Sequence, residues 1–367
     1  MSDPPHLRDP LSPAREAAGR FGIDRSSPST GPRRRFLAKT LATCGGGLLA
    51  AFGGALSARR GVRTAGIAPG AEKDAADSRQ GGLVDAHSHV WTPDVRAFPL
   101  AEGQTVDDLK PRSFRPEELM AIAHPLGVRR VVLIQHTIYH RTDNSYIVDC
   151  IRRFPGVFSG VATIDESAPD AAYQMRLLQA AGVRGFRIVP VDWASGRKGL
   201  APKEWLSRPG MRTMWTVAGE RGLAICPLVD PEYLPALDGM CARHPKTTVV
   251  IDHFGRVGID GRIRSEDVKN LCRLSRHPRT FVKVSAFYAL GKKQPPYIDL
   301  LPLIRAVYDA FGPQRLMWGS DSPYQVEPPH TYAASLRLVR ELAGFLSDED
   351  RSWILRRTAE SVFFAGS

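Results

Sequence analysis

Cysteine is scarce in this chain, with 5 in 367 residues. Cys150, Cys226, Cys241 and Cys272 show no CxxC or zinc-ribbon spacing, so a disulfide framework and a structural zinc module are both excluded and the four read as ordinary buried thiols. A long hydrophobic run is missing as well. The most apolar stretch, Thr40 to Leu56, contains five glycines and is too weakly hydrophobic to span a bilayer. Basic residues interleaved with aromatics are also absent, so the formal charge of +12 does not mark a nucleic-acid surface. Half of that charge, +6, falls in residues 1–80, and the rest is scattered over 287 residues as a mildly cationic surface suited to anionic small molecules.

Residues 1–80 do not read as part of a fold. They are polar and rich in Pro, Arg and Ser up to GPRRRFLAKT at residues 31–40, then run into LATCGGGLLAAFGGALSA and turn polar again at Arg59 and Arg60. A charged segment, a short apolar stretch and a small-residue exit make up a secretory signal. Arg33 and Arg34, followed by Phe36 and Leu37, resemble a twin-arginine (Tat) signal, with Ala55-Leu56-Ser57 as a candidate cleavage site. The expectation is an N-terminal export segment over 1–80, a body over 81–367, a periplasmic or extracytoplasmic location and the Tat machinery as partner. A basic tail on a cytoplasmic enzyme is the alternative.

From Gly82 onward, short Val- and Ile-rich runs alternate with longer amphipathic stretches, which predicts parallel strands joined by helices. Strands are expected at 82–89, 130–136, 158–164, 185–189, 224–229, 248–253, 280–285 and 316–320. Helices are expected at 115–126, 145–154, 168–181, 209–221, 232–243, 265–276, 297–311, 331–345 and 348–364, with stops at Gly127 and Gly182 and a cap at Ser347. Eight such units in about 285 residues predict an α/β fold, a (β/α)8 TIM barrel in a single domain.

A buried parallel strand should be apolar nearly throughout, so polar residues at strand ends are the informative ones. His87 and His89 close the first strand and, two apart, project from one face. Gln135 and His136 close the second, with His140 four on; Arg187 lies on the fourth, Asp252 and His253 end the sixth, Lys283 lies on the seventh, and Asp321 follows the eighth. In a barrel these ends share one pocket. Lys283 and Asp252 also suit an ion pair at the barrel rim. His124, His244 and His277 sit at helix ends and read as surface or capping residues. Trp91, Tyr139, Trp193, Tyr288 and Tyr324 could stack on a substrate ring, and His140 and His330 could reach the pocket.

VDAHSHVW, GVRGFRI, VVIDHFGR, FVKVS and LMWGSDSPY, in that order, resemble the amidohydrolase-related family, which holds sugar-acid and pyrone-dicarboxylate lactonases and decarboxylases of the aminocarboxymuconate semialdehyde type. The likeness spans roughly residues 82–364. It implies that His87, His89 and Asp321 hold a divalent metal, Zn2+ or else Mn2+, with Asp321 and His253 catalytic and Asp321 taking a proton from water. Arg187, a planar fork, suits a substrate carboxylate, with His136 and Tyr324 beside it. The metal-dependent pattern places a further His at the end of the fifth strand. Here that stretch is AICPLVDPEYL, where Cys226 and Asp230 are the nearby donors, so the metal site is either reduced or dispensed with. The expected activity is opening of a lactone or related cyclic ester of a sugar or carboxylic acid. The alternatives are a metal-dependent carboxy-lyase acting on an unsaturated acid and an exported, non-catalytic ligand-binding barrel.

Overall fold

Alternation along each strand sorts the side chains into two layers, and that sorting builds the molecule. In β2 (Val128–Ile134), Val131 and Leu133 join the outer core against the helices, while Val132 and Ile134 point into the barrel. The same division holds in β6 (Thr248–Ile251), where Val249 and Ile251 face out and Val250 faces in. This is a computed structural model, and it describes residues 81–190 and 200–365. The twin-arginine stretch and Trp193 lie outside the described residues.

The remaining strands are β1 (Leu83–Ser88), β3 (Phe158–Ala162), β4 (Val183–Ile188), β5 (Ala224–Pro227), β7 (Thr280–Val284) and β8 (Leu316–Trp318). All neighbours pair in parallel in the order β1 to β8. Helices between strands, such as Ser145–Arg153, Pro209–Arg221 and Leu301–Phe311, bury their apolar sides on the outer layer. The result is the expected (β/α)8 barrel. The C-terminal helix Thr358–Phe363 sends Phe363 into the interior cluster with Ala86, Cys226 and Met317. Among the described residues no helix is long and apolar enough to cross a membrane.

All eight strands stop one or two residues before their expected ends. The expected strand 248–253 ends at Ile251, and the chain then turns through His253, Phe254, Gly255 and Arg256, all at positive φ between 51° and 60°. Non-glycine residues adopt that region only when the surroundings hold them there, and it clusters at functional sites. The last two expected helices each contain a π-helical turn, at Leu338–Leu342 and Trp353–Arg357.

β1 and β8 close the barrel through backbone bonds that also set the site. Asp321 N–H donates to His87 O at 2.8 Å, and His89 N–H donates to Ser322 O at 2.8 Å. Beneath them the buried Asp85 carboxylate accepts from His87 N, Ser320 N, Ser320 Oγ and Tyr332 OH at 2.6–3.0 Å. The approach is so close that a Cβ on Gly319 would meet His87 Cβ at 2.7 Å. Gly319→Ala is therefore expected to destabilise the fold by about 1–3 kcal/mol through overpacking. Urea unfolding would measure it, and an unchanged midpoint would show that β8 can move away without loss.

Candidate active site

Strict alternation in β1 would send His87 outward, since Val84 and Ala86 belong to the interior cluster. A register irregularity between Asp85 and Ser88 turns the chain, a usual effect of a bulge, and both His87 and His89 reach the pocket. Their ring centroids lie 5.3 Å apart. The expected pairing of the two imidazoles holds, with the bulge as the device that aims them.

Lys283 faces inward from β7, and Asp252 follows β6 directly. They pair with each other at 3.0 Å, but at the barrel floor and not at its rim, both fully buried. Arg187 Nη2, reaching in from β4, donates to Asp252 Oδ2 at 3.1 Å and stands 2.9 Å from His87 Nε2. Lys283 Nζ stands 3.0 Å from His87 Nδ1. A neutral imidazole has one acceptor nitrogen, so only one of these two cationic neighbours makes a true hydrogen bond at a time. Burial, reinforced by Lys283, holds the His87 pKa well below the ordinary histidine range. Burial would push the Asp252 carboxyl up, but Lys283, His87 and Arg187 together outweigh it and keep it ionised.

Asp321 stands above this floor at φ 62°, buried and surrounded by imidazoles. Its Oδ1 lies 3.4 Å from His87 Nε2 and 3.3 Å from His89 Nε2, and its Oδ2 lies 3.6 Å from His253 Nε2. Tyr288 OH donates to Oδ2 at 2.9 Å, while Oδ1 has no hydrogen-bond partner. Burial opposes ionisation of Asp321, yet His253, His87 and His89 outweigh it and hold the carboxyl far below the usual range. Burial lowers His253 to about 4, and its Nδ1 lies 2.8 Å from Ser285 Oγ.

One contact tests the site for a cation. His89 Nδ1 lies 2.9 Å from the Ile134 carbonyl, which only accepts, so Nδ1 carries hydrogen. In the neutral ring, Nε2 then aims a lone pair at the unpartnered Asp321 Oδ1. Two acceptors at 3.3 Å require a proton or a metal ion between them. That spacing is also the ligand-to-ligand edge of about 3.3–3.4 Å that zinc bonds of about 2.0–2.1 Å give in a tetrahedron. His87, His253 and Asp321 offer donor atoms within 4.8 Å of one another. The donor set suits a divalent ion, which would compete with Arg187 for His87 Nε2.

The fifth strand adds nothing to it. Cys226 packs in the interior apolar cluster, where burial pushes its thiol up to about 12, and Asp230 pairs with Arg256 at 2.9 Å. Cys150 and Cys241 are buried as expected, while Cys272 is only half-buried. His136 Nε2 and Tyr324 OH meet at 2.6 Å, against His89. Trp91 and Tyr139 pack around His136 as loop core. His140 bonds Pro99 O, and His330 bonds Tyr297 OH next to Tyr288. His277 pairs with Asp238 at 2.7 Å, away from the pocket. The Tyr288 bond to Asp321 had no signal in the sequence beyond an aromatic on a βα loop. A cavity of about 470 Å³ is lined in part by Arg187, which is the residue it shares with the cluster.

Acid should loosen this arrangement. His253 titrates near 4 in the fold against about 6.5 when unfolded, and His87 and His136 shift the same way. Between those values the unfolded chain binds more protons, so stability falls as pH drops. Asp85, which burial raises to about 6, opposes this, since its contribution is present at low pH and lost as pH rises through 6. Three histidines outweigh one carboxyl, so the thermal midpoint should fall from pH 7 to pH 4.5. A midpoint that holds or rises over that window would contradict the neutral, buried assignment.

A family model described as Amidohydrolase matches residues 84–365. The chain is 31% identical over 242 residues to the L-fucono-1,5-lactonase of Burkholderia ambifaria, covering 65% of this chain and 80% of that protein. It is 32% identical over 252 residues to the 2-pyrone-4,6-dicarboxylate hydrolase of Comamonas testosteroni, covering 66% and 77%. Among solved structures, an amidohydrolase from Burkholderia multivorans with bound zinc superposes with a TM-score of 0.64 at 21% identity, covering 77% of this chain and 99% of that one. With the barrel and its His-His-Asp cluster in place, the chain belongs to the amidohydrolase family.

Proposed function

We propose that this protein is a hydrolase that opens a lactone by adding water to its acyl carbon, with Asp321 as the general base. The observation that carries the reading is the Asp321 carboxylate, buried, ionised and with Oδ1 unpartnered beside three imidazoles. The lactonase and the dicarboxylate hydrolase among its relatives support the reaction class.

Water placed against Oδ1 gives its proton to Asp321 as its oxygen bonds to the acyl carbon. His253, neutral at pH 7, orients that water from the Oδ2 side. The Arg187 guanidinium, which stands against His87 Nε2, stabilises the oxyanion that develops on the carbonyl oxygen. When the tetrahedral intermediate collapses, the ring C–O bond breaks and the leaving oxygen takes back the proton held by Asp321. The product is a ring-opened hydroxy or oxo acid. His87, His89, His253 and Asp321 are the residues that would hold a divalent ion, which when bound supplies Lewis acidity toward carbonyl and water.

The carboxy-lyase alternative predicts release of carbon dioxide, and the binding-protein alternative predicts no turnover. Purified protein, as isolated and with added Zn2+ or Mn2+, should open at least one member of a panel of sugar and carboxylic acid lactones without releasing carbon dioxide. Asp321→Asn should lower kcat by about 10²–10⁴. Equal activity in that variant would remove Asp321 from the chemistry.

The export reading is likewise a proposal, motivated by Arg33 and Arg34 ahead of the Gly-rich stretch. Cell fractionation should recover the protein outside the cytoplasm, and Arg33→Lys with Arg34→Lys should retain it inside. Retention of the unaltered chain in the cytoplasm would overturn this.

A further inference from the structure

The cavity that Arg187 lines is walled on one side by Ile188, Trp205 and Met214, and on the other by the loop that follows β2. Its volume of about 470 Å³ is within the range of small-molecule sites. Three guanidiniums, Arg141, Arg187 and Arg208, line it against two carboxylates, Asp165 and Glu166. Glu166 is paired with Arg208 at 2.8 Å, and Asp165 is turned back onto Ser167 at 2.6 Å and 2.9 Å. Arg187 Nη2 is committed to the floor of the barrel. Arg141 lines the same cavity and has no acidic partner among the described residues.

The Arg141 side chain is exposed, and its backbone is fixed in place. Its backbone sits at φ 45° and ψ −113°, a conformation that a side-chain-bearing residue adopts only under constraint. The buried Gln135 at the end of β2 imposes it, donating to Arg141 O at 3.3 Å and to Asp143 O at 2.6 Å. Two further atoms lack partners. Arg187 Nε and Thr163 Oγ1 are buried without a hydrogen bond, and both residues line this cavity. Arg187 is 4% exposed, so its idle N–H is a desolvated donor waiting for an acceptor.

We propose that this cavity binds an ionised acid group carried by the substrate, a carboxylate or a sulfonate, with Arg141 as its cationic partner. The inference rests on the lactone-hydrolase reading and narrows it to lactones bearing a separate acid arm. The reacting carbonyl lies at the Arg187 end toward Asp321, the apolar wall covers the carbon skeleton, and the acid arm reaches Arg141. A guanidinium suits either oxyanion because its fork of N–H donors matches two oxygens at once. Arg141 is a specificity-determining residue, since it touches a part of the substrate that does not react.

The test compares Arg141→Met and Arg141→Lys with the unaltered protein on matched lactones carrying a carboxylate, a sulfonate or the neutral methyl ester. Arg141→Met should raise KM for the charged lactones at least tenfold with kcat nearly unchanged, leave the methyl ester unaffected, and be partly rescued by Lys. An equal effect on charged and neutral lactones, or no effect on either, overturns the proposal. In parallel, titration calorimetry with succinate and sulfoacetate reads the anion site without turnover. If no lactone is opened but both anions bind and Arg141→Met weakens them tenfold or more, the lactone reading fails and the anion site stands. If lactones are opened but neither anion depends on Arg141, the anion site fails alone.

Discussion

The site depends on one buried carboxylate. Asp252 is held between Lys283 and Arg187 at the barrel floor, all three almost wholly removed from water, and His87 rests on top of them. A buried ion pair of this kind gives little net stability, since well-packed apolar residues often do as well, yet removing one partner typically costs about 3–5 kcal/mol. Its value lies in placement. Three strands, β4, β6 and β7, are tied to one point, and the face that His87 turns to the pocket is set from below. Asp252 cancels one of the two positive charges, so the floor keeps a net positive charge, part of it carried by the Arg187 guanidinium against His87.

Barrel closure sets the second half of the geometry. The backbone bonds between His87 and Asp321 and between His89 and Ser322 make β1 and β8 a single unit, and the missing side chain at Gly319 lets them approach. The donors of a hydrolytic centre are therefore consequences of how the last strand meets the first. The facing acceptors of His89 and Asp321 are the cost of that closeness, relieved by a proton or a metal ion shared between them. Arg187 and such an ion draw on the same nitrogen of His87, so the site has two ways of placing positive charge beside the reacting carbonyl.

Much of this was legible in the residues. The eight strands follow from Val- and Ile-rich runs, and His87, His89, His253 and Asp321 stood out because a polar residue at the end of a buried strand needs a reason. The strand ends were overestimated because left-handed turns such as 253–256 are set by packing around them and leave no periodic mark. Lys283 and Asp252 were recognisable as a pair, but their depth was not, because inward and outward faces of a fully buried strand look alike in composition. Tyr288 was hidden for a related reason, as an aromatic on a loop declares its bonding partner only once the loop is folded onto β8.

The central claim is that Asp321 directs water onto an acyl carbon. The most direct measurement is a single turnover in water enriched in oxygen-18 with a lactone that the protein opens. The account predicts one heavy oxygen in the newly formed carboxylate, none in the leaving hydroxyl, and loss of that incorporation in Asp321→Asn. Label in the leaving hydroxyl, or label in the carboxylate at an undiminished rate in Asp321→Asn, would contradict it.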